Sequence, residues 1–207
     1  MPDRLINPTL FIQELDVNQD TPVEILHVIL LGISKYFWHD AVSCQSATSK
    51  EELKARIDSL DVNGLNLSPL RGATLVQYAK SLTSQYFQAI VQIGPFVLHG
   101  LLPPCVFDAW LALSHVAPLA FQQEIEDIEV YLPRLILAID ALLQATVLWS
   151  PQWFNKPKFH VLLHLPEHIC RFGPAALFAT EMFESYNAII CLRSIHSNRH
   201  APSHNIA

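Results

Sequence analysis

Apolar side chains recur at every third or fourth position through most of this chain, and that spacing restricts it to packed helices. In "DTPVEILHVILLGISKYFWHDAV", Val23, Leu26, Ile29, Leu30 and Ile33 keep helical spacing. Asp20 or Thr21 supplies a cap and Pro22 a first-turn residue, which predicts a helix over 21–43. Ser49, three residues before Glu52, reads as a capping box and opens a second helix ending near Leu60. Residues 61–69 are rich in turn formers, and helices are expected over 70–82, 84–101 and 103–116. A long amphipathic helix comes next, with acids in its first turn and a kink expected at Pro133. "SPQWFNKP" ends it, and helices over 157–171 and 176–195 precede a polar tail. There is no repeat, no low-complexity tract and little strand signal, so the expected class is mainly α.

Charge is scarce, which bears on what covers this core. Hydrophobic residues make up 51% of 207 and charged ones 15%, against roughly 25% charged in a typical soluble domain. Part of the surface is therefore expected to be covered by other chain, and the protein is expected to self-associate. The net charge of −6 is uneven: up to residue 150 there are 8 basic against 16 acidic residues, and afterwards 5 against 3. That basic end is far below the density of a dedicated nucleic-acid arm. Cys44, Cys105, Cys170 and Cys191 are scattered without a CxxC pair, arguing against a zinc finger or a secreted disulfide framework. An intracellular setting is expected, with no signal peptide. Segments 23–38 and 128–149 are not expected to span a membrane, because Glu24, His27 and Lys35 interrupt the first and Pro133, Arg134 and Asp140 the second.

Histidines raise the question of a metal. His160, His164 and His168 stand four apart, and His196, His200 and His204 repeat the interval in the tail. Each four-residue step on a helix rises about 6 Å and drifts about 40°. Three such rings cannot all reach one zinc at about 2.0–2.1 Å. Pro166 also disturbs the helix between the second and third. The first ladder reads as structural, its histidines hydrogen-bonded within a buried helix, ahead of a metal site or a contact to DNA. Pro202 interrupts the second set, which reads as a solvated tail.

Three blocks resemble a known family. "DTPVEILHVILLGISKYFW" is similar to the D-x-x-H…LLG segment of CACTA-type transposases, especially the Plavaka-like elements of fungi. "NKPKFHVLLHLPEHICRFGPAALFATEMFESYN" resembles their closing block, in which an H-x-L-x-H helix leads to GP and then F-E-x-x-N, and "HSNRHAPSHNIA" resembles the family's segment next after that block. The resemblance implies a ribonuclease-H-like DDE transposase in which two Asp and one Glu hold two Mg or Mn ions for DNA strand transfer in the nucleus. On that implication residues 1–43 are a remnant of the catalytic core, 44–150 an all-helical insertion, and 151–207 the C-terminal core block.

Carried over residue by residue, the catalytic acid is Glu184, with Glu181 as the fallback if the register slips by one turn, and Asn187 completes the motif. His27 matches, whereas Glu24 replaces the family's Asp. Arg193, Arg199 and His200 are candidate DNA contacts. The family's first two Asp residues have no counterpart here, and two metals about 3.5–4 Å apart need all three carboxylates. Glu184 would therefore hold metal only if the missing acids were supplied. The expectation is a transposase fragment, inactive as this chain, whose missing upstream half is a partner. Its Glu184 helix should lie beside the helix of Glu24 and His27, with 44–150 packed as a separate bundle. The alternative is a non-catalytic helical protein-interaction module.

Overall fold

The apolar run after Glu24 is helical as expected, but its first nine residues, Leu26–Ser34, form a π-helix rather than an α-helix. The computed structural model describes residues 11–16 and 19–180. At the end of the wide turns the Lys35 N–H reaches back to Leu30 O, five residues away, and α1 (Lys35–Ser43) continues the rod. Gly32 permits the wide turns. A Cβ there would lie 2.6 Å from His27 O and 3.2 Å from Lys158 Cγ, so any side chain would force the backbone apart. The π-helix is nearly all core, with Leu26, Val28, Ile29, Leu30 and Ile33 buried.

The remaining described elements wrap this rod: α2 (Ala47–Asp58), α3 (Gly72–Gln77), α4 (Ser84–Leu98), α5 (Pro104–Ala120), α6 (Ile128–Trp149), a 3₁₀ turn at Pro151–Asn155, α7 (Pro157–Leu162), α8 (Leu165–Phe172) and a 3₁₀ turn at Ala175–Phe178. The π-helix packs on α4 and α7, α5 lies between α4 and α6, and α8 returns to α6. The protein is mainly α, and the described residues contain no strand, so the sheet of a ribonuclease-H-like core is absent from them. Buried residues from Val23 to Ala175 form one hydrophobic cluster, which runs through all three segments expected from the resemblance.

Several boundaries shift for identifiable reasons. The cap of α2 is Ser46, whose side chain accepts the Ser49 N–H, so Ser49 lies inside the helix and the capping box is not used. The helix over 70–82 shortens to α3, six residues held by two backbone constraints. The Gly72 N–H donates to Asp58 Oδ1 at 2.7 Å, and a Cβ on Gly72 would collide with the Lys54 carbonyl. Arg56 closes the other end of α4. Its guanidinium donates to Val97 O and His99 O at 3.1 and 2.6 Å, satisfying carbonyls at the helix's C-terminal end.

Aromatic rings fill the centre. Phe37 lies 4.8 Å from Trp149, 5.6 Å from Trp153, 6.0 Å from Trp110 and 6.1 Å from Phe159, centroid to centroid. Trp38 donates its indole N–H to Leu75 O at 2.9 Å, tying α1 to α3. Tyr131 donates to Leu119 O at 2.8 Å, joining α6 to α5, and burial pushes its phenol up to about 12.

The helix expected over 157–171 is broken into α7 and α8, with His164 at the junction and Pro166 in the first turn of α8. That break corrects the picture of histidines within a buried helix. Phe159, Leu162, Leu165 and Ile169 take the inner face, while His160 and His164 are exposed and His168 is half-buried. Similarly, Ala175–Phe178 is a 3₁₀ turn followed by extended backbone at Ala179, so the expected helix does not begin at residue 176. Its remainder lies outside the described residues.

Candidate functional site

Glu24 lies two residues before the π-helix, where amide N–H groups have no carbonyl partner. Its carboxylate takes four donors. Oε1 accepts from the Leu26 and Thr180 N–H groups, both at 3.0 Å. Oε2 accepts from the His27 N–H at 2.8 Å and from His27 Nδ1–H at 2.6 Å. Burial alone would raise this carboxyl's pKa, but the donors from Thr180, His27 and Leu26 together hold it below its ordinary value. Glu24 thus caps the π-helix, orients the His27 ring and anchors a residue 156 positions away.

A second tie lies next to it. Val23 N–H donates to His168 Nδ1 at 2.7 Å, so that nitrogen carries no proton and the ring is held in one tautomer. Desolvation lowers the pKa of His168, with His164 and Arg171 adding in the same direction and Glu167 opposing them. The His168 ring stacks 6.3 Å from that of His164, which lies 5.2 Å from His160. Arg171 completes the clasp, donating to Gln19 O at 3.2 Å and pairing with Asp20. Asp20 also accepts the Asp16 N–H at 2.7 Å. Among the described residues, no three His, Cys, Asp or Glu side chains converge into a group that could hold a metal ion.

Of the residues chosen from sequence, the structure brings Glu24 and His27 into direct contact. Glu181, Glu184, Asn187, Arg193, Arg199 and His200 lie outside the described residues, as do His196 and His204. The described chain nevertheless ends on Glu24, through Thr180. Sequence reasoning missed the parts played by Thr180, His168 and Arg171. A backbone amide carries no sequence signature, and the histidine spacing points to a ladder rather than to the one ring that docks. No family model matches the chain, and no curated protein or solved structure is significantly similar to it.

Proposed function

We propose that this chain derives from the C-terminal part of a CACTA-type, Plavaka-like DDE transposase and is not catalytic by itself. The order of the three sequence blocks carries the proposal. The observation most favourable to it is the Thr180-to-Glu24 hydrogen bond. This bond links the E-x-x-H block to the residue four positions before Glu184, the residue proposed as the third metal-binding acid. Glu24, with both oxygens engaged by N–H donors, suits an orienting role better than a metal ligand. The two aspartates that a two-metal mechanism needs have no counterpart among these 207 residues, and residues outside them would have to supply both acids with the Mg or Mn they hold. DNA as substrate and the nucleus as its location belong to this proposal.

The test is a nicking and strand-joining assay of the purified chain on supercoiled DNA with Mg²⁺ or Mn²⁺. No activity is expected. Cleavage that vanishes in Glu184→Gln would show a complete metal site and overturn the fragment reading.

A second reading, a helical interaction module, is favoured by α6. Its outward face is largely apolar, and only 28% of its most apolar window is buried. By length and composition alone this helix could also cross a membrane, although its inner face packs on α5 and α8.

A further inference from the structure

Three of the six lysines gather at one cleft although they are far apart in sequence. Lys35 opens α1, Lys80 lies beyond α3, and Lys156 precedes α7. Together with Tyr36, Trp153 and Asp40 they line a cleft of about 420 Å³. Elsewhere Lys54 pairs with Glu51, Arg56 with Glu52, and Arg171 with Asp20. Lys35, Lys80 and Lys156 have no carboxylate at ion-pair distance among the described residues. In a chain of net charge −6, three unneutralised ammonium groups around one opening form a local anion site.

The walls narrow the class of anion. Tyr36 and Trp153 lie nearly parallel, 19° between planes and 6.5 Å between centroids, and Lys156 Nζ stands 5.6 Å over the Tyr36 ring. The Trp153 indole N–H is buried without an acceptor among the described residues. Aromatic faces beside lysines accept a base by stacking while the ammonium groups take its phosphate. Asp40 adds an acceptor, suited to a sugar hydroxyl or an exocyclic amine but not to a bare phosphate. A neighbouring cleft of about 520 Å³ shares Asp40, Trp153 and Lys156 and extends the groove past Trp149.

We propose that this groove binds a phosphorylated nucleoside, the phosphate among Lys35, Lys80 and Lys156 and the base against Tyr36 and Trp153. The site does not rest on the transposase reading, and the nicking assay neither supports nor removes it. Three probes test it on the full chain at low salt by calorimetric titration: AMP, a short oligodeoxyadenylate and inorganic phosphate. AMP or the oligonucleotide should bind more tightly than phosphate. Tighter binding of the oligonucleotide would identify a nucleic-acid strand as the source, and equal binding a free nucleotide. Oligonucleotide affinity should also fall with salt, by about 0.7 in log–log slope per phosphate contacted.

The Lys80→Ala/Lys156→Ala double variant should lose affinity by about tenfold or more, as expected for lost charge-assisted contacts. Lys50→Ala, which removes a charge elsewhere, should leave affinity unchanged, with circular dichroism confirming the fold of both. Failure of all three probes to bind, phosphate binding as tightly as both AMP and the oligonucleotide, or wild-type affinity in the double variant would each overturn the proposal.

Discussion

His168 shows how one ring can set the acid side of stability. Its Nδ1 accepts the Val23 N–H, a bond that exists only while that nitrogen is unprotonated. The folded pKa is depressed below the ordinary 6.5. Between that lowered value and 6.5 the unfolded chain binds more protons than the native one, so stability rises with pH across the window. The contribution is complete above 6.5 and is lost as pH falls through the window. The expected outcome is a Tm that drops on acidification from neutral pH toward pH 5.5. His168→Asn, whose Oδ1 can take the same N–H without titrating, should show a shallower drop. Losing the bond outright is worth about 1 kcal/mol. Parallel pH profiles for the two proteins would show that Val23 does not depend on the protonation of this ring.

The π-helix is the element whose geometry the sequence conceals. The apolar spacing from Val23 to Ile33 announces a helix and its buried face, and both are found. Nothing in that spacing distinguishes turns closed five residues back from turns closed four back, because several consecutive apolar residues satisfy either. The distinguishing residue is Gly32, and it does so through its neighbours His27 and Lys158, the second remote in sequence. Gly32→Ala should therefore cost about 1–3 kcal/mol, as overpacking does in a filled core, although alanine is the better helix former. Urea unfolding measures this, and a stabilised Gly32→Ala would mean that the wide turns relax to an α-helix without penalty. The same limit explains the candidate site. Glu24 and His27 were picked out through the resemblance, as neighbours in one short block, whereas the Thr180 amide and the Lys35, Lys80 and Lys156 cleft come from chain folding over long intervals. The split of the histidine helix was legible at Pro166. The outward turn of His160 and His164 was not, since it depends on which face α6 and the π-helix leave available.

At the scale of the molecule, α6 decides whether the chain can remain alone in solution. Its inner stripe is Tyr131, Leu135, Ile139, Leu142 and Thr146, all buried. Thr146 returns its hydroxyl to Leu142 O at 2.6 Å and so buries no unpaired donor. Roughly half a turn away runs a second stripe in which Val130 is 56%, Leu137 68% and Leu148 76% exposed, with Ala141 between the last two. Within this outward face only Glu129, Arg134 and Asp140 carry charge. A helix apolar on both sides is ordinarily covered on both, and the 15% charged composition leaves little elsewhere to keep copies apart. Light scattering at micromolar concentration should accordingly show association, and a hydrophobic dye should bind. The Leu137→Glu/Leu148→Glu variant should shift both readings toward a monomer while the helical dichroism stays constant, because neither side chain belongs to the buried cluster. Their substitution should change folding stability by no more than about 0.5 kcal/mol. A wild-type monomer that binds no dye, or a double variant that associates as strongly as the parent, would mean that the outward stripe of α6 does not drive self-association.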